Sequence, residues 1–256
     1  MAGDDFVSVE RKRDRLKRYM TVPFAVRTSD LPKRLASAIV MLVITAVALW
    51  LGGIWLDAFI LAVAFATFCE FAFLISRMTK NWPKRILATL AGAVYIGVAA
   101  FVLAGAGNFL LVLVIGATIA TDTGAYFMGR AIGGPKIAPS ISPSKTWAGL
   151  CGGMLAAGAW VIVWVLVMND PETAIGPRFA LGISESFGSL LLVALFGGVL
   201  AILAQVGDFF ESWLKRRAGR KDSSNLIPGH GGFFDRVDGM LPVALAVAAI
   251  AGVAAN

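Results

Sequence analysis

FGSLLLVALFGGVLAILAQV, Phe187–Val206, runs for 20 residues without a charged side chain. About 20 apolar residues in helical form are what it takes to cross the hydrocarbon core of a bilayer. The next letters, GDFFESWLKRR (Gly207–Arg217), bring acids and bases together at once. The change reads as the point where a membrane helix meets water, and it sets the reading of the rest of the chain.

Further windows of the same kind are Leu35–Leu56, Ile86–Asn108, Ala148–Met168 and Met240–Ala255. Ala58–Ser76 carries one acid, Glu70, and Phe109–Thr121 is short unless it continues through Asp122 to Met128. Composition agrees: 58% of the 256 residues are hydrophobic and 15% charged, against roughly 25% charged in soluble domains. The expectation is an all-α, polytopic membrane bundle of about seven helices, with a range of seven to nine. A basic tail over residues 1–34 precedes a membrane domain over 35–256.

Lys and Arg accumulate on the cytoplasmic side of membrane proteins. With the amino terminus inside, the tail, Arg77–Arg85, Gly129–Lys145 and Gly207–Asp238 fall inside, and of 23 Lys and Arg only Arg178 falls outside. The tail segment VERKRDRLKRYM does not resemble a cleaved signal, and reads either as a solvated or lipid-surface segment or as a phosphate-attracting patch. Cys69 and Cys151 lie in or beside apolar spans, so they read as packing residues rather than a disulfide.

Carboxylates near a bilayer core are costly and usually face the protein interior. Glu70, Asp122, Asp208, and the pair Asp235 and Asp238 all approach the inner face on this topology. Asp235 and Asp238 stand at i and i+3, one face of a helix. With Asp208 they would form a hard-cation site of the kind magnesium shares with substrate phosphates; the bland alternative is a salt-bridged turn with Arg236 and Lys221. Pro228-Gly229-His230-Gly231-Gly232 cannot be regular helix, and glycines allow backbone amides close to an anion. His230 either touches a phosphate or a ligating acid, or orients its loop. A second inner stretch, Gly129–Gly149, offers Lys136 and Lys145 as point charges and Ser142, Ser144 and Thr146 as hydroxyl donors. It is not a phosphate loop, since Ser144 stands where glycine is required before the lysine.

The run SWLKRRAGRKDSSNLIPGHGGFFDRVD, Ser212–Asp238, resembles throughout the signature of phosphatidate cytidylyltransferases, the CDP-diacylglycerol synthases. The matching positions are Ser212, Lys215, Arg216, Lys221, Asp222, Ser224, Pro228, His230, Gly231, Gly232, Asp235, Arg236 and Asp238. Upstream, Asp122, Tyr126, Gly129 and the SPSKTWAG stretch also look like the family. Ala148 departs from it, standing where a glutamate is usual.

The resemblance implies an integral membrane nucleotidyltransferase of phospholipid biosynthesis. It would join CTP and phosphatidate to give CDP-diacylglycerol and pyrophosphate. The resemblance also implies magnesium on Asp208 and Asp235 with Asp238 as ligand or neighbour, a second, monovalent cation such as K+, and a homodimer. Lys221 and His230 join the catalytic set. Ser142, Lys145, Thr146, Ser212, Lys215, Arg216, Asp222, Gly231, Gly232, Arg236, Asp122 and Tyr126 are the substrate-binding candidates. The expected address is a bacterial inner membrane with the site facing the cytoplasm and no nucleic-acid partner. Two other classes stay open: a CTP-dependent lipid or polyprenol kinase, and a cation-coupled transporter. A CDP-alcohol phosphotransferase is excluded by the lack of an Asp-Gly-x-x-Ala-Arg run.

Overall fold

The computed structural model describes residues 31–105, 107–169 and 187–254. Most of the basic tail, and the segment of residues 170–186 that holds Arg178, lie outside the described residues. The first apolar window divides in two: Gly52 and Gly53 adopt φ of 60° and 49°, which disfavours any residue with a Cβ. Helix α1 (Leu31–Leu51) therefore ends before α2 (Gly53–Met78) begins. Asn81 accepts the Lys84 amide at 3.2 Å, the side-chain cap that starts α3 (Trp82–Gly105).

Helix α4 (Gly107–Ala131) carries the short window onward through Asp122. A helix at membrane depth keeps going because its backbone groups have no water to turn to, whatever the local hydropathy. Gly133 and Gly134, with φ of 68° and 98°, then turn the chain into a hairpin that the sequence reading leaves as a basic loop. Strand β1 (Lys136–Ala138) pairs antiparallel with β2 (Ser142–Thr146), Lys136 opposite Thr146 and Ala138 opposite Ser142. Helix α5 (Trp147–Asn169) follows directly.

Helix α6 (Phe187–Arg217) has 31 residues, roughly 46 Å at 1.5 Å per residue, against a hydrocarbon core of about 30 Å. Its last turns thus reach past the apolar layer while still helical. Short α7 (Phe234–Val237) and apolar α8 (Met240–Ala254) close the described chain. Among the described residues five helices, α2 to α6, are long and apolar enough to span a membrane; Leu35–Leu51 and Met240–Ile250 are shorter apolar helices. The outward faces are apolar too: Trp50, Phe65, Leu87, Phe101 and Leu192 are exposed, as lipid-facing positions are. The protein is an integral membrane helical protein. Cys69 and Cys151 are free thiols on exposed positions, which corrects their reading as packing residues.

Small residues set the helix spacing around the site. A Cβ on Gly124 would strike the Gly152 carbonyl oxygen and Ala156, and one on Gly153 the Thr121 carbonyl oxygen, so α4 and α5 touch backbone to backbone. Gly197 meets Ala157 and Gly158 in the same way, which draws α6 against α5. The hairpin joining α4 to α5 is thereby held beside the end of α6. On the other side, Phe71, Leu74 and Ile75 of α2 pack with Leu214, Phe234 and Leu241 into one buried cluster. Phe71 and Phe234 meet edge to face at 6.0 Å.

Candidate active site

The final turns of α6 display Asp208, Glu211, Ser212 and Lys215 at i, i+3, i+4 and i+7, a single helical face. Lys145, delivered by β2, forms an ion pair with Asp208. The Ser212 hydroxyl lies 3.5 Å from the other Asp208 oxygen. Lys215 stands between two acids, paired with Glu211 on its own helix and with Asp235 at 2.6 Å. Asp122 on α4 lies within electrostatic range of Lys145, Asp208 and Arg236.

Asp235 is held by several donors. The Ser223 amide reaches it at 2.9 Å, the Ser223 hydroxyl at 2.7 Å and the Gly232 amide at 2.8 Å. Burial alone would raise its carboxyl, but the Lys215 cation, the Gly232 amide and Ser223 outweigh that and hold it below the usual carboxylate range. Its partner is Lys215, not the Arg236 or Lys221 of the salt-bridged-turn alternative. Asp238 turns the other way. Its oxygen accepts the Gly239 amide at 2.8 Å, and it converges with Asp208 and Glu211, whose ligand oxygens all lie within 4.8 Å of one another.

Asp235 and Asp238 therefore do not present one shared pair of oxygens. The close carboxylate group is Asp208, Glu211 and Asp238. Glu211 is 1% exposed, and apart from its ion pair with Lys215 its oxygens have no hydrogen-bond partner. A buried carboxylate left short of donors, with two others beside it, fits a hard cation.

Burial pushes the Asp238 carboxyl up, to about 7, and the charge of Asp208 adds to the rise. The unfolded chain ionises this group in the ordinary carboxylate range while the folded chain keeps its proton. Its contribution to the stability of the metal-free protein is present in acid and is lost as the pH rises to about 7. Melting temperatures in chelator between pH 4 and 8 should show this fall in the wild-type protein, and Asp238→Asn should remove that component of it.

The glycine turn admits an anion, but the anions it touches belong to the protein. Gly231 has φ 82°, and a Cβ on it would press on Asp235; a Cβ on Gly232 would collide with Ser223 and with the Glu70 carboxylate. Gly232→Ala should therefore unseat the turn and lower activity at least about tenfold, the scale of a displaced active-site group. Turnover of the purified variant, with its melting temperature as control, checks this.

Other candidates take varied places. His230 Nδ1 lies 2.7 Å from the Ser37 hydroxyl of α1, which also donates to the Pro228 carbonyl at 2.9 Å. The histidine ring thus joins the turn to α1. Arg236 donates to the His230 carbonyl oxygen at 2.7 Å. Thr146 is buried, and its Oγ1 accepts the Gly149 amide at 3.1 Å, so it caps α5. Tyr126 accepts from Arg130 one turn on, at 3.2 Å. Arg216, Lys221 and Asp222 are exposed, and Ser142 is half-buried in β2.

Sequence reasoning missed Glu211 and Ser223. Continuing the helical period past Val206 would have found Glu211, since it stands three residues after Asp208 and four before Lys215. Ser223 has no such signal, because its role depends on a turn that only the fold defines.

Carboxylates and lysines thus gather at one end of a membrane helical bundle. The chain belongs to the cytidylyltransferase family, whose pattern matches residues 83–254. It is similar to the phosphatidate cytidylyltransferase of Brucella suis, 31% identical over 84% of this chain and 91% of that protein. The Thermotoga maritima phosphatidate cytidylyltransferase is 40% identical over 55% of this chain and 47% of its own length. That of Haemophilus influenzae is 40% identical over 52% and 42%.

Proposed function

We propose that the chain converts CTP and phosphatidate to CDP-diacylglycerol and pyrophosphate. The observation that carries this reading is the meeting of Asp208, Glu211 and Asp238 with Lys145 and Lys215 at one end of a membrane bundle, in a chain of the cytidylyltransferase family. An oxygen of the lipid phosphate attacks the α-phosphorus of CTP, the bond from that phosphorus to the bridging oxygen of the β-phosphate breaks, and pyrophosphate leaves. A phosphate monoester has its second ionisation near pH 6, so it is mostly dianionic at neutral pH and no base need activate it. The chain's task is to bring two anions into line and to offset their repulsion.

Asp208, Glu211 and Asp238 are the proposed magnesium ligands. The set keeps two residues of the sequence reading and adds Glu211, while Asp235 fixes Lys215. Magnesium bound there would supply charge neutralisation for the triphosphate and the departing pyrophosphate. Lys145 turns from Asp208 toward the phosphates and Lys215 meets them from its place beside Asp235, with Arg216, Lys221 and Arg236 on the exposed rim. Ser142 and Tyr126 face the substrates from the hairpin and from α4. The acyl chains stay in the lipid between helices. A monovalent ion beside the divalent one, a homodimer, seven spans counting α1 and α8, and an inner-membrane address with the site on the cytoplasmic side complete the reading.

The test is purified protein in detergent with phosphatidate, magnesium and CTP labelled either in cytidine or in the γ-phosphate. Cytidine label on the lipid supports the proposal. γ-Phosphate label on the lipid means a kinase, and ion flux in proteoliposomes without CTP turnover means a transporter; either result overturns it.

A further inference from the structure

Glu70 lies on α2, ahead of residues 83–254 that match the family, and it belongs to none of the groups assigned above. It is 3% exposed, and no ion pair or metal cluster includes it among the described residues. Four donors from one stretch of chain converge on it instead. Its Oε1 accepts the Ser224 hydroxyl at 2.6 Å and the Phe233 amide at 3.1 Å. Its Oε2 accepts the Ser223 hydroxyl at 2.9 Å and the Phe234 amide at 2.8 Å. The two ends of the signature turn, residues 223–224 and 233–234, are thus fastened to the same carboxylate.

We infer that Glu70 is the positioning residue for the catalytic turn: it closes residues 223–234 into one shape, and through Ser223 sets Asp235 and Lys215. The inference rests on the proposed cytidylyltransferase reaction. The path is short. Ser223 Oγ lies 2.9 Å from Glu70 and 2.7 Å from Asp235, and Asp235 in turn holds Lys215 at 2.6 Å. A serine hydroxyl has one proton, so it donates to one acid at a time. The amides of Ser223 and Gly232 keep Asp235 in place through either state, and they are themselves part of the stretch that Glu70 closes. Gly232 is the enabling residue, since the carboxylate occupies the space a Cβ would take.

The geometry requires a carboxylate and not merely a polar group. Each oxygen receives one backbone N–H, Phe233 on Oε1 and Phe234 on Oε2. A glutamine there would turn its NH2 toward one of those amides in either orientation, donor against donor, and a backbone amide cannot rotate away. A buried donor left unsatisfied in this way works against the closed turn.

The experiment compares wild type, Glu70→Gln, Ser224→Ala and the double variant, with Thr67→Val as control. Thr67 is buried one turn away on α2, and its hydroxyl donates within its own helix to the Val63 carbonyl at 2.8 Å. Two readouts are taken: amide hydrogen exchange over residues 223–238, and kcat with KM for CTP and phosphatidate. Glu70→Gln should speed exchange in that stretch and lower kcat by about ten- to a hundredfold, the cost of a misplaced reacting group, with both KM values within about twofold. Ser224→Ala should lower kcat less, and the double variant should be no worse than Glu70→Gln. If Glu70→Gln does not fold, Ser224→Ala alone decides by the same two readouts. Unchanged exchange, unchanged kcat, or an equal loss in Thr67→Val overturns the inference. Faster exchange in Glu70→Gln, with a wild-type protein that makes no CDP-diacylglycerol, would leave the turn-closing role standing and sink the reaction.

Discussion

Asp208→Asn should abolish most CDP-diacylglycerol synthesis, by on the order of a thousandfold, the scale of losing a preorganised charge from a transition-state site. Asparagine keeps the size of the side chain and a contact with Ser212, 3.5 Å away in the native protein. It removes the charge that pairs with Lys145 and one of the three carboxylates that meet within 4.8 Å. Stability should move in the opposite sense. Glu211 and Asp238 lose a like-charged neighbour, so the metal-free variant should melt at the wild-type temperature or above it. Turnover in detergent, read beside melting in chelator, distinguishes this from simple misfolding, which would lower both together.

Lys215→Met is the second large effect, and here activity and stability should fall together. Lys215 is the cation between Glu211 and Asp235, and the two acids are 1% and 9% exposed. Removing one member of a buried ion pair typically costs about 3–5 kcal/mol, because the remaining charge has no compensation. Methionine fills the volume but leaves two carboxylates facing each other. Adding Glu211→Gln to Lys215→Met should recover part of the lost melting temperature and none of the turnover. If the single variant melts like wild type, Lys215 is not holding the two acids together.

Much of the fold was legible because the membrane imposes it. Uncharged windows long enough to cross a bilayer sit where α3, α5 and α6 run, since apolar side chains and an internally satisfied backbone are both obligatory there. The errors came where a helix carries charge. Asp122 interrupts the apolar window of α4 without ending the helix, and α6 continues helical well past Val206. Reading that stretch as loop concealed Glu211. The hairpin of β1 and β2 was hidden by its prolines and short length, and by the fact that α4 and α5, packed on glycines, decide where its ends lie.

The site was legible in its parts and not in their pairing. Asp208, Lys145, Lys215 and Asp235 were all named, but spacing predicted that Asp235 and Asp238 would act as one pair. Helix α7 is only four residues long, too short to impose a face on both. Asp235 turns back to Ser223 and Gly232, and Asp238 turns toward α6. Glu70 was noted as an acid in a costly place, yet its partners lie more than 150 residues away in the chain, a distance that no local pattern bridges. Thr146 was read as a phosphate contact; in the fold its hydroxyl receives the Gly149 amide.

The central claim is where the divalent ion sits. Crystals of the protein grown with manganese in place of magnesium, measured at the manganese absorption edge, would locate it by anomalous scattering. The account predicts a peak bounded by the carboxylates of Asp208, Glu211 and Asp238. A peak remote from Asp208, or no bound manganese in a protein that turns over CTP, would contradict it.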